Sequence, residues 1–217
     1  MKTTDLKQKK SNPLLKGCRN TKYSWLAAAC TLGIMIIVYY CYDLIPFGDV
    51  TILRMDLYHQ YGPLFAELYE RVTNLDSLLY SWTSGGGSSF LGNFFNYLSS
   101  PTLIIMLLFG HRNMPEAIAA MILVKAVIAS FTFSYFLSKK FDNKTPLISA
   151  FGVLYACRGY FIAYYWNVMW LDSFYLFPLV ILGIEQLISQ RKMKLYTITL
   201  ALTLITNYYM GYMVCIF

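Results

Sequence analysis

The chain has 217 residues, of which 57% are hydrophobic, 18% aromatic and only 13% charged, with a formal net charge of +7. A soluble domain carries about a quarter charged residues, so this composition argues against an ordinary soluble fold and for an integral membrane protein whose apolar residues come in long runs. The positive charge does not point to nucleic acid, because the basic residues fall in separate clusters rather than one patch.

Residues 1–24 form a basic tail holding Lys2, Lys7, Lys9, Lys10, Lys16, Arg19 and Lys22. The apolar run that follows, about 25–42, is longer than the core of a cleaved signal peptide, and no small-residue cleavage site closes it. "LAAAC" at 26–30 resembles a lipoprotein box but opens the run instead of ending it. The run reads as an uncleaved first span. Four more apolar segments predict spans at about 116–138, 146–165, 174–188 and 195–217. A span needs roughly 17 to 25 residues, so the fourth is short unless Trp170, Leu171 and Ser173 join it. "TLIIMLLFG" at 102–110 is too short to cross and is expected to dip or lie at the interface, with Pro101 at its start.

Charge then orients the chain. Lys139, Lys140 and Lys144 fall between spans two and three, and Arg191, Lys192 and Lys194 between spans four and five. With the basic tail, these are the segments that the positive-inside rule assigns to the cytoplasm. The segment 43–115 becomes a large first extracytoplasmic loop, and 166–173 a short one. Loops this long are uncommon and often functional. Leu64, Phe65, Leu68, Val72, Leu75, Leu79 and Trp82 recur at three-to-four spacing, predicting amphipathic helix suited to the outer leaflet. The triple glycine at 85–87 has no GK[ST] or βαβ context and reads as a backbone turn. The expected fold is all-α: a polytopic transmembrane helical bundle with interfacial helices in its first external loop.

The cysteines give no framework. Cys30, Cys41, Cys157 and Cys215 sit in apolar runs and Cys18 in the tail, so neither disulfides nor a metal cluster is implied.

"MDLYHQYGPLFAELYERV", residues 55–72, gathers the polar chemistry. Asp56, with Gln60 and Tyr61 four and five residues on, can serve as a general base or hold a divalent cation beside a lipid phosphate. The alternative is a solvated helix cap, since Asp56 stands where a helix can start. His59 ranks below it, and Asp43 and Asp49 read as ordinary loop carboxylates. Asp172, in "YYWNVMWLDSFYLFP", is a second outward carboxylate or a polar residue closing a span. Lys125 and Arg158 interrupt spans, which is costly unless they are paired or line a wet cavity. Both fall toward the outer half of the bilayer. They either neutralise those carboxylates or grip an anionic lipid phosphate, with snorkelling as the plain alternative.

"MDLYHQYGPLFAELYERV", "LLYSWTSGGGSSFLGNFFNYLSSPTLIIMLLFG", "NVMWLDSFYLFPLVILGIEQLI" and "TNYYMGYM" together resemble the N-terminal part of the YfhO family of bacterial membrane proteins, from about Tyr23 onward. The resemblance implies a polytopic glycosyltransferase of the GT-C type, in the plasma membrane of a Gram-positive bacterium. Such an enzyme adds sugar from a polyprenyl-phosphate donor to lipoteichoic acid or a related envelope polymer. It implies an essential acidic residue in the first external loop, the place Asp56 occupies. Lys125 and Arg158, with Gln60, Tyr61 and Asp172, are then expected around substrate and lipid phosphate. The need for Mg or Mn stays open. Family members are several times longer, and the chain ends in apolar sequence at Phe217. The expectation is a piece of a longer protein, inactive alone. A transporter or lipid flippase, or a non-catalytic envelope-assembly protein, is the rival class.

Overall fold

The computed structural model describes residues 13–141 and 145–217. Most of the predicted basic tail and Lys144 lie outside the described residues. The described residues form ten α-helices: α1 (Pro13–Cys41), α2 (Gly62–Asn74), α3 (Phe90–Asn93), α4 (Leu103–Phe109), α5 (Met114–Lys140), α6 (Leu147–Ala156), α7 (Gly159–Tyr164), α8 (Trp170–Gln190), α9 (Lys194–Thr206) and α10 (Tyr208–Ile216). A hairpin of two short strands, β1 (Tyr80–Ser81) and β2 (Ser88–Ser89), interrupts the segment between α2 and α3.

Among the described residues, four stretches are long and apolar enough to cross a membrane: Thr21–Cys41, His111–Lys140, Leu147–Tyr164 and Trp170–Gln190. Counting the bent pair Phe90–Leu98 and Leu103–Phe109 as one span gives five. The protein is therefore an all-α membrane protein.

Helix α5 is the centre of the bundle, packed against α1, α4, α6 and α8. Small residues make this possible. Ala117, Ala126, Ala129, Ser130 and Ser134 are buried along it, and small side chains let helix backbones approach where no hydrophobic drive separates protein from lipid. Gly152 of α6 shows how close the approach is. A Cβ there would overlap Ser134 Oγ and lie 2.8 Å from the Ser130 carbonyl oxygen. Tyr39 closes the other side, donating from its hydroxyl to the Ala119 carbonyl at 3.0 Å.

The fourth predicted span is a full 21-residue helix, because Trp170, Leu171 and Ser173 are helical. The third and fifth are interrupted. Between α6 and α7 the backbone of Arg158 is extended. At Asn207 the chain is again extended, and the Asn207 side chain accepts from the Met210 amide to cap α10. Asparagine competes well for local backbone groups, which is why the apolar run over 195–217 breaks there. The dipping segment expected at 102–110 is one arm of a hairpin: it meets Phe90–Leu98 at 105° across Ser99–Thr102.

The loop helix differs from expectation in what it touches. Leu64, Phe65 and Leu68 are buried against the protein rather than lying on a leaflet, with α2 contacting α4 and α5. The helix stops where Leu75 adopts a left-handed backbone, so Leu75, Leu79 and Trp82 fall beyond it and stay exposed. The three glycines do form a turn, all with positive φ, and carry β1 into β2. Gly87 is held close to Tyr80, whose hydroxyl would collide with any added Cβ.

Candidate functional site

The segment 42–113 and the short turn 165–169 lie at the same end of the bundle, and the site forms where they meet. Residues 51–54 belong to no helix or strand. Met55 then takes a left-handed backbone, φ 50°, a conformation that costs a non-glycine residue free energy. From it the chain enters a widened π-helical turn, Leu57–Tyr61, that runs into α2. Such turns gather at functional sites. A second one, Phe94–Leu98, faces the first, and the Tyr61 and Tyr97 rings sit 5.4 Å apart. Neither turn was visible in the sequence, because apolar spacing does not distinguish them from ordinary helix.

Asp56 stands at the start of the first turn, exposed, and makes no capping hydrogen bond. Among the described residues no basic side chain pairs with it. Gln60 is exposed beside it, whereas Tyr61 is buried and donates to Asn167 Oδ1 at 3.1 Å. Burial, then the Asp56 charge and Tyr97, push the Tyr61 phenol up to about 12. At neutral pH it is a hydrogen-bond donor tying this loop to the 165–169 turn.

Two spaces flank Asp56 in the chain. One, about 640 Å³, is lined by Thr51, Arg54, Met55, Tyr58, His59 and Trp166. The other, about 520 Å³, is polar and lined by residues that include His59, Gln60, Glu67, Ser84 and Asn93. His59 belongs to both, so the two meet across the start of the helical turn.

Glu67 is held by a cluster of its own. Arg71 donates from Nε at 2.9 Å and from Nη2 at 2.7 Å, and Ser81 Oγ donates to the same carboxylate oxygen. Arg71 also bonds the Ser77 carbonyl and lies over the Phe90 ring, 4.6 Å from its centroid. Burial by itself raises the Glu67 carboxyl, but the Ser81 and Arg71 hydrogen bonds and the Arg71 charge outweigh it and lower it overall. A lowered folded-state pKa stabilises above the unfolded value and is lost as pH falls through the folded one. Limited proteolysis in the 75–89 segment should therefore stay slow at neutral pH and accelerate below about pH 4.3, the ordinary glutamate value. Glu67→Gln should be cut quickly throughout and lose that acid step. A variant as protected and as pH-dependent as wild type would remove Glu67 from this role.

Lys125 and Asp172 come together deep in the bundle. Lys125 Nζ donates to Asp172 Oδ2 at 2.9 Å and to the Val168 carbonyl at 2.8 Å, with both side chains fully buried. Asp172 Oδ1 accepts from Ser100 Oγ at 2.9 Å, at the tip of the bent hairpin. Neither residue lines the two spaces beside Asp56.

Arg158 stands apart, exposed at the helix break, its guanidinium over the rings of Tyr155, Tyr160 and Phe174 at 4.8, 5.6 and 4.7 Å. The small space there, about 170 Å³, is also lined by Ser173. Tyr160 and Ser173 each carry a buried hydroxyl oxygen without a hydrogen-bond partner. Among the described residues no three His, Cys, Asp or Glu side chains are grouped to hold a metal ion, and Cys30, Cys41, Cys157 and Cys215 are free thiols.

These features define a polytopic helical membrane protein with a folded polar segment between its first two long spans. The family model of the bacterial membrane protein YfhO matches residues 28–217, and the chain belongs to that family. No curated protein and no solved structure matches it.

Proposed function

We propose that the chain is part of a membrane glycosyltransferase. In this reading it moves a sugar from a polyprenyl-phosphate donor to a hydroxyl of a cell-envelope polymer of the lipoteichoic-acid kind, at the outer face of the plasma membrane. The positive-inside asymmetry supports that orientation, with the N-terminus in the cytoplasm and residues 42–113 outside. The observation that carries the reading is Asp56. It is a carboxylate kept exposed and unpaired at a strained turn, with sequence neighbours that line a basic aromatic pocket and a polar one, though it lines neither itself.

In the reaction, Asp56 accepts the proton of the acceptor hydroxyl as that oxygen bonds to the anomeric carbon of the donor sugar. The bond from that carbon to the phosphate oxygen breaks, and the lipid phosphate leaves with the electron pair. Gln60 and the hydroxyl-rich wall of the polar pocket hold neutral sugar or polyol groups by hydrogen bonds. Lys125, already neutralised by Asp172, fixes the scaffold in this account rather than meeting phosphate, and Arg158, over three aromatic rings, stands away from the Asp56 pockets.

A second reading, a transporter or flippase, draws on the interrupted helices. Breaks at Arg158, Asn207 and the hairpin tip, beside a buried ion pair, are features of transport sites. Sugar analysis of envelope polymers from a strain deleted for the full-length gene decides between the two. Loss of one sugar, restored by the wild-type gene, is the expected result. Intact polymer sugars with the donor lipid accumulating in the inner leaflet would favour transport.

A further inference from the structure

The third span presents a different space on each side. Arg158 and Tyr160 face α8 and α10. The opposite side, with Phe161 and Ile162 of α7, closes a larger apolar groove of about 540 Å³ against Ile34 and Val38 of α1 and Ile122 of α5. All of these residues lie in the half of the spans nearer the 42–113 segment. Ile34, Val38 and Ile162 are exposed, so the groove opens sideways toward lipid.

What distinguishes this groove from an ordinary lipid-facing crevice is its upper end. Thr51 and Arg54 line both the groove and the 640 Å³ pocket, so the two adjoin at these residues. Arg54 is exposed, and among the described residues no carboxylate pairs with it. An unpaired guanidinium at the end of an apolar channel complements a phosphate whose tail lies in that channel, and arginine's fork matches phosphate in bidentate fashion. Asp56 is two residues away.

We infer that the groove between α1, α5 and α7 seats the chain of a single-chain polyprenyl phosphate, with Arg54 receiving the phosphate at its mouth. The channel is single, so a two-chain phospholipid would leave one chain unseated. The choice of an isoprenoid rests on the transferase reading. The seat itself stands on the groove and Arg54. It also divides the cations by role: Lys125 holds the bundle together, and Arg54 meets the ligand.

The test is photo-crosslinking of the full-length protein in detergent with diazirine-tagged farnesyl monophosphate, and with the matching farnesol, followed by peptide mapping. Labels should fall on the α1 and α7 peptides. Arg54→Gln should cut labelling by the phosphate about tenfold, as loss of a charge-assisted contact does, while farnesol labelling is unchanged. Arg54→Lys should recover part of it. Val38→Trp, which narrows the groove from an exposed position, should reduce both probes, with size-exclusion profiles showing every variant folded. The inference is overturned if Arg54→Gln labels like wild type, or if labels gather on the α10 peptide beside Arg158. It is also overturned if dioleoyl phosphatidic acid competes as well as untagged farnesyl phosphate. Because crosslinking needs no turnover, sugar transfer that survives loss of Asp56 would end the catalytic assignment and leave the lipid seat standing.

Discussion

Lys125→Met should destabilise the bundle by roughly 3–5 kcal/mol, the range for removing one partner of a buried ion pair. Asp172 would be left charged, fully buried and without its cation, with Ser100 Oγ and the Tyr175 hydroxyl as its remaining hydrogen-bond partners. Asp172→Leu should cost a similar amount, stranding an ammonium whose remaining acceptor is the Val168 carbonyl. The double variant Lys125→Met with Asp172→Leu should recover most of the loss, since two apolar side chains replace two charges that needed each other. Unfolding in mixed detergent with increasing dodecyl sulfate measures all three. Single variants as stable as wild type would show that the pair contributes little. A double variant no better than either single one would show that the charges do more than neutralise each other.

Asp56→Asn should lower sugar transfer by about 10²- to 10⁴-fold, the usual contribution of a positioned general base, with the protein level in the membrane unchanged. The second half follows from the geometry. Asp56 makes no capping hydrogen bond and pairs with no cation, so its amide loses little that holds the fold. Asp56→Glu keeps the charge but moves it by a methylene, and should retain more activity than Asp56→Asn. Quantifying polymer-bound sugar in the deletion strain carrying each variant measures this. Transfer by Asp56→Asn at more than about a third of wild type, far above what loss of a base allows, would make the residue a helix start and nothing more.

The spans were legible because lipid imposes a length. Residues 25–42, 116–138 and 174–188 each announced a helix, and Thr21–Cys41, α5 and α8 lie over them. The breaks were less legible. Asn207 sits in a run apolar enough to hide one polar side chain, and only its capping bond to Met210 shows why the helix stops. The face of α2 was read correctly as apolar, but spacing alone cannot say whether such a face meets lipid or protein. Leu64, Phe65 and Leu68 meet protein. At the site, Asp56, Gln60 and Tyr61 stood out as polar residues in apolar company. Arg54 carries no signal in the sequence. The residues that line the groove with it, Ile34 of α1, Ile122 of α5 and Phe161 of α7, come from three distant helices, so no local pattern signals the groove. Lys125 and Asp172 were each conspicuous, but their pairing depends on how α5 and α8 rotate against each other.

The bent hairpin sets an order of assembly. Beyond its local bonds, its tip reaches partners made much later in synthesis. Ser100 reaches Asp172, Ser99 reaches the carbonyls of Ile205 and Thr206, and the Asn96 carbonyl receives the Asn207 amide. Tyr61 likewise waits for Asn167. As the nascent chain leaves the ribosome, residues 42–113 emerge early, but these long-range bonds form only after α8 and α9 have been inserted. The polar segment that carries Asp56 is thus among the first parts translated and the last to settle, which makes it the stretch most in need of shielding while the membrane domain is being built.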